Sequence, residues 1–190
     1  MLALNAASWP DHLLTLAEWE ALPEDASRRY ELVEGVLLAV PRPTSLHQLA
    51  MLRLGAELDR QLPDDLTVLP DVDVLVEAGL TPTARAPDVV VVPSTRAEQN
   101  PPRLTAADVL LAIEVVSPGT GRTDRVTKMS EYAEAGIPHY WLVDLPPRLQ
   151  LTAYTLVSGR YEQRAVGTDL IDVDLPSPVH LDLKSLLTRR

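Results

Sequence analysis

Two acidic residues stand where a folding chain ordinarily places apolar ones. Glu114 interrupts the run "VLLAIEVVSPGT" of residues 109–120, and Asp88 opens four valines in "RAPDVVVVP". A buried ionised carboxylate costs several kcal/mol unless it is paired, hydrogen-bonded or bound to a cation. Residues two apart in a strand share a face, so Glu114 joins Leu110, Ala112 and Val116, while Leu111, Ile113 and Val115 face the other way. Asp88 shares its face with Val90 and Val92. Neighbouring strands would bring the two carboxylates together at one end of a sheet. Their repulsion would then raise at least one pKa, and a divalent cation would remove the penalty. All-oxygen ligation suits magnesium or manganese. The plainer alternatives are an exposed or arginine-paired Glu114 and an Asp88 that caps a turn after Pro87.

The elements that must carry these residues follow from periodicity. Thr15 with Glu18 three residues later forms a capping box for a short helix, stopped at Pro23. "RYELVEGVLLAVP" reads as two strands turning near Glu34-Gly35. "SLHQLAMLRLGAELDRQLP" is the strongest helix, capped by Ser45, with Met51, Leu58 and Leu62 on one face. "LTVLPDVDVLV" and "APDVVVVP" are strand-like, separated by the turn-rich "EAGLTPTAR". A strand spans roughly Asp108 to Val116. A second helix, "TDRVTKMSEYAEAG", starts at Thr123, turns Val126, Met129 and Ala133 inward and stops at Gly136. "PHYWLVD" resumes a strand, and "LQLTAYTLVSGRYEQRAV" is a hairpin turning at Ser158-Gly159. No repeat or low-complexity linker divides the chain, which reads as one α/β domain over residues 1–190 with a mixed sheet.

Composition bounds the function. Of the 17 basic residues only Lys128 and Lys184 are lysines, and the net charge is −10. Such a balance argues against a protein that coats nucleic acid, whose affinity comes mostly from phosphate contacts. It leaves room for a nucleic-acid enzyme with a local basic rim. With no cysteine, disulfides, zinc–thiolate sites and cysteine nucleophiles are excluded. No apolar run suits a membrane helix, and "MLALNAASWP" lacks a signal peptide's basic start and apolar core, so the expectation is a cytoplasmic protein.

The order helix, strand, "PD" strand, "EVV" strand, helix, strand resembles the restriction-endonuclease-like fold of the PD-(D/E)XK nuclease superfamily. Within it the chain is similar to the Uma-two family of restriction-endonuclease-like proteins. The matching segments are "TLAEWEALPEDASRRYELVEGVLLAVP", "SLHQ", "APDVVVVP" and "IEVVSPGTGRTDRVTKMSEYAEAGIPHYWLVD". The resemblance implies a mixed β-sheet flanked by helices, with a core about 44–145, an N-terminal helix and hairpin, and a C-terminal β-hairpin extension. It also implies metal-dependent hydrolysis of phosphodiester bonds in DNA. Asp88 and Glu114 would ligate Mg2+ or Mn2+, with the Val115 carbonyl as a further ligand.

One departure bears on the chemistry. The superfamily's lysine falls two residues after the acid, and that position here is Val116. Lys128, on the following helix, is the family-like replacement; the plainer reading pairs it with Asp124 on a solvated helix face. Glu31 of "YELVEG" matches a further acidic position, against the plainer reading of a salt bridge to Arg28 or Arg29. His47 also matches, in a supporting or simple hydrogen-bonding role. Arg122, Arg125 and the Arg53/Arg60 pair are candidate phosphate contacts. His12, His139 and His180 have no metal-ligand spacing, and Ser117 and Thr120 lack a histidine base. The expectation is therefore a Mg-dependent endonuclease acting through Asp88, Glu114, Lys128 and Glu31. A catalytically silent binding or assembly protein on the same fold is the second reading, and a small-phosphate-ester hydrolase the third. A homodimer would suit double-strand cutting, although no interface is written in the sequence.

Overall fold

The computed structural model describes residues 10–22, 29–117, 121–174 and 176–188. Helix α1 (Leu16–Glu20) begins at the Thr15–Glu18 capping box; Pro23, its expected stop, lies outside the described residues. Strands β1 (Arg29–Val33) and β2 (Val36–Val40) form the expected hairpin. Its turn places Glu34 at φ 49° and Gly35 at φ 78°. A side chain at Gly35 would also press on Leu13 and the Leu14 backbone at 3.0–3.1 Å.

Helix α2 spans Ser45–Gln61, with Thr44 rather than Ser45 as its cap: the Thr44 hydroxyl accepts from the His47 backbone N–H. Its buried positions are His47, Ala50, Leu54 and Leu58, a stripe of 3.6 period that corrects the expected face by bringing in Ala50 and Leu54. Full burial of each leucine contributes about 1.5–3 kcal/mol. The stripe ends on a histidine because that end of the helix meets Asp88 rather than apolar chain.

The main sheet has six strands in the order β11-β10-β9-β8-β6-β3. These are β3 (Leu66–Pro70), β6 (Val89–Pro93), β8 (Leu111–Val116), β9 (His139–Asp144), β10 (Gln150–Val157) and β11 (Arg160–Gly167). Only the β8–β9 pair is parallel, so the sheet is mixed. Alternate residues feed opposite layers. Val89, Val91, Leu111, Ile113 and Val115 pack under α2. Val90, Val92 and Ala112 pack with Tyr132, Tyr140 and Leu142 on the other face.

A second sheet has the order β2-β1-β5-β4-β7, adding β4 (Val74–Glu77), β5 (Thr83–Arg85) and β7 (Leu104–Thr105). Strand β5 lies inside the stretch read as turns, because Thr83 to Arg85 is fully buried between β1 and β4. The run "LTVLPDVDVLV" splits into β3 and β4 at Asp71, whose φ of 53° breaks the extended backbone. Short helix α3 (Ser94–Ala97) follows β6. Beyond the β10–β11 hairpin, β12 (Leu170–Val173) and β13 (Val179–Asp182) pair with each other and cover the α2 layer.

The helix after β8 departs from its expected form. A π-helical turn, Thr123–Lys128, follows two helical residues and leads into α4 (Met129–Glu134). Val126 is 61% exposed, and Asp124, Lys128 and Tyr132 are the buried face. The apolar pattern misled because this inward face also carries Asp124 and Lys128, which meet charged groups beside the apolar layer around Tyr132. Gly136 ends α4 at φ 81°, as expected.

Candidate active site

Strands β6 and β8 are neighbours with Val89 opposite Ile113. One step further along that antiparallel register sets Asp88 opposite Glu114, on the sheet face that carries Val90 and Ala112. The convergence expected from strand parity is therefore present. Glu114 is on an interior strand, 3% exposed, which removes the exposed alternative.

Each carboxylate is held by specific donors. Asp88 Oδ2 accepts from the Val115 backbone N–H at 2.7 Å and lies 3.1 Å from His47 Nε2. An ionised carboxylate only accepts, so the imidazole proton belongs on Nε2. His47 Nδ1 is buried with no partner among the described residues. Glu114 Oε1 accepts from Lys128 Nζ and from the Tyr132 hydroxyl, both at 2.9 Å. Lys128 Nζ also lies 3.4 Å from Glu31 Oε1 and 3.7 Å from Asp124 Oδ1. The i,i+4 pairing with Asp124 exists, but on a buried face rather than a solvated one.

Of the two expected partners of Glu31, Arg28 lies outside the described residues and Arg29 instead reaches Asp71 and the Ala86 carbonyl. Glu31 pairs with Arg85 on β5, whose Nη1 donates to Glu31 Oε2 at 2.8 Å. The other edge of the same guanidinium grips Glu131 of α4 at 2.7 and 2.6 Å. Arg85, Glu131 and Tyr132 were not singled out from sequence, and Asp124 was named only as a solvated partner of Lys128. Arg85 stood in a presumed turn and the other three on a helix whose inward face was misread.

The electrostatics follow from five carboxylates, Glu31, Asp88, Glu114, Asp124 and Glu131, around two permanent cations, Arg85 and Lys128. Burial, then repulsion from Asp88 and Asp124, pushes Glu114 up to about 8 against the pull of Lys128. Burial also disfavours the Lys128 ammonium, but Glu114, Glu31 and Asp124 outweigh it and hold the lysine above its ordinary range. For Glu31, burial is outweighed by Lys128 and then Arg85, and the carboxyl falls below its usual range. Lys128 is thus held in its charged form, while Glu114 takes up a proton more readily than a free carboxyl.

Among the described residues no three His, Asp or Glu groups stand grouped as a ready metal cage. The donor chemistry nevertheless fits a hard cation, since the donors are carboxylate oxygens with negative charge in excess. No donor among the described residues reaches Asp88 Oδ1 or Glu114 Oε2.

Val116, where the resemblance places a lysine, packs against the Tyr132–Tyr140 layer. Lys128 thus reaches the acids from the helix. Arg125 pairs with Asp144 and Arg122 is exposed. Arg53 reaches the Ser185 carbonyl and Arg60 pairs with Glu57, both remote from the cluster. Thr120 lies outside the described residues. A groove of about 800 Å³ runs between α2 and β3, but its walls, from Pro43 to Pro70, include none of the cluster. No described helix is long and apolar enough to cross a membrane.

The comparisons agree with this architecture. No functionally curated protein matches the chain. A solved structure described as a putative nuclease belonging to DUF820, from Anabaena variabilis ATCC 29413, is 21% identical. It aligns with a TM-score of 0.69 over 92% of this chain and 97% of that one. At that identity the likeness establishes the restriction-endonuclease-like fold. The Uma2 family model, described as "Putative restriction endonuclease", matches residues 16–184, and the chain belongs to that family.

Proposed function

We propose that the protein is a metal-dependent endonuclease that hydrolyses phosphodiester bonds in DNA, using Mg2+ or Mn2+. The observation that carries the reading is Asp88 facing Glu114 across β6 and β8, with a buried lysine 2.9 Å from Glu114. Asp88 and Glu114 would hold the cation, with the Val115 carbonyl as a further donor. A bound divalent cation supplies Lewis-acid polarisation of the phosphoryl group and a more acidic attacking water.

The chain's own residues do the rest. His47 and the Val115 N–H fix Asp88 through Oδ2 and leave Oδ1 for a ligand. Tyr132 does the same for Glu114. The Lys128 ammonium stabilises negative charge that develops on phosphorus oxygens. Glu31 completes the acidic cluster beside it. Arg122 and Arg125, on the exposed side of the same helical segment, are the proposed phosphate contacts.

Supercoiled plasmid provides the test. Nicking that needs magnesium, stops with chelator and is lost in Glu114→Gln supports the reading. One observation favours a catalytically silent scaffold: Lys128 already meets the charge of Glu114 without a metal. Intact plasmid, together with unaltered affinity for nucleic acid in Glu114→Gln, would select that alternative.

A further inference from the structure

Both oxygens of Glu31 are already engaged. Oε2 accepts from Arg85 Nη1 at 2.8 Å. Oε1 accepts from the Ala86 backbone N–H at 3.3 Å and lies 3.4 Å from Lys128 Nζ. Asp88 and Glu114 differ, each having its described donors on one oxygen alone. Arg85 is 2% exposed and divides its guanidinium, Nη1 to Glu31 and Nε with Nη2 to Glu131. Charges thus alternate along Glu131, Arg85, Glu31, Lys128 and Glu114, from a partly exposed carboxylate to the interior of β8.

We propose that Glu31 is the seat of Lys128 rather than a metal ligand, and that Arg85 and Glu131 are positioning residues for that seat. A lysine ammonium on a four-carbon stem has three donors and no fixed direction. Held by Glu114 alone, it would lose its anchor when a cation claimed that carboxylate. Glu31 gives it a second anchor on β1, and the planar Arg85 fork fixes Glu31 with a directionality that lysine could not supply. Asp124, from the lysine's own helical turn, completes the ammonium's surroundings at 3.7 Å. The catalytic half of this assignment rests on the hydrolytic reading above; the seat itself does not.

The chain's two lysines make the seat measurable without metal. Lys184 has an exposed side chain and serves as the internal reference for Lys128. Brief acylation with an amine-reactive ester, mapped by peptide mass spectrometry, gives their labelling ratio. Glu31→Gln and Glu131→Gln should each speed labelling of Lys128 relative to Lys184 by about tenfold, the scale of one lost charge-assisted hydrogen bond. Leu54→Ala, which weakens the core under α2 and leaves the cluster intact, should hold the wild-type ratio. In manganese calorimetry Glu31→Gln should stay within about threefold of wild type, whereas removing a true ligand abolishes binding. With DNA as substrate, Glu31→Gln should lower kcat and leave KM unchanged. An unchanged labelling ratio in both variants overturns the seat, as does loss of manganese binding in Glu31→Gln to the extent seen in Glu114→Gln. Absence of manganese binding by wild type would contradict the hydrolytic reading instead, and the labelling ratio would still decide the seat.

Discussion

Lys128 Nζ lies 2.9 Å from Glu114 Oε1, and the two residues are 7% and 3% exposed. The fold spends an internal cation on a strand carboxylate, and the helical turn bearing that cation presents polar groups inward to do so. Breaking a buried pair costs more than the pair contributes, because the survivor is left without a partner.

Lys128→Met should therefore destabilise the fold, and by an amount that depends on pH. Near pH 9, where Glu114 is ionised, the cost should approach about 3–5 kcal/mol. Near pH 6 it should be smaller, because Glu114 can take up a proton. Urea unfolding at the two pH values checks this, and an equal cost at both would contradict the assigned charge states.

Glu114 should also shape the stability of the wild type. Its folded pKa of about 8 stands above the 4.5 of the free side chain, so folding takes up a proton between those values. A raised acid is least costly to the fold below its unfolded pKa, and stability falls as pH climbs through the folded one. Glu114→Gln has no such titration. Its stability relative to wild type should rise from about pH 5 to about pH 8 and then level off, and a flat difference across that range would count against the raised carboxyl.

Removing the Tyr132 hydroxyl is a milder test of the same oxygen. Tyr132→Phe keeps the ring against Tyr140, whose centroid is 5.5 Å away, and deletes only the donor to Glu114. A loss of about 1 kcal/mol is expected, as for one buried hydrogen bond. A neutral result by thermal or urea unfolding would show that Lys128 alone satisfies Oε1.

Strand parity carried much of the candidate site. Asp88 and Glu114 were readable because a carboxylate in a valine run is costly, and the period of two puts each on a definite face. Lys128 was reached through what position 116 lacks. The rest was hidden by rules that assume apolar interiors. Apolar spacing turned Val126 inward, whereas the helix turns Asp124, Lys128 and Tyr132 in, over a π-helical turn. Arg85 lay in a stretch rich in Gly, Pro and Thr that is locally turn-like, yet three of its residues are claimed by β1 and β4. Long-range pairing decides such short strands, and local sequence does not contain it.

His47 should act on metal affinity more than on stability. It touches Asp88 from the first turn of α2, and such orienting partners are typically worth about 10–100-fold in metal affinity. His47→Asn should weaken manganese binding on that scale while shifting the urea midpoint only slightly. Equal affinity in variant and wild type would reduce His47 to a helix-start hydrogen-bonder.

The central claim is that Asp88 and Glu114 together hold a divalent cation. Calorimetric titration of manganese into wild type, Asp88→Asn and Glu114→Gln tests it most directly, in buffers of differing ionisation enthalpy. The account predicts binding by wild type that tightens towards pH 8, releases protons as Glu114 yields its own, and disappears in both variants. Binding that survives in either variant, or no binding by wild type even with a nuclease-resistant DNA present, would contradict it.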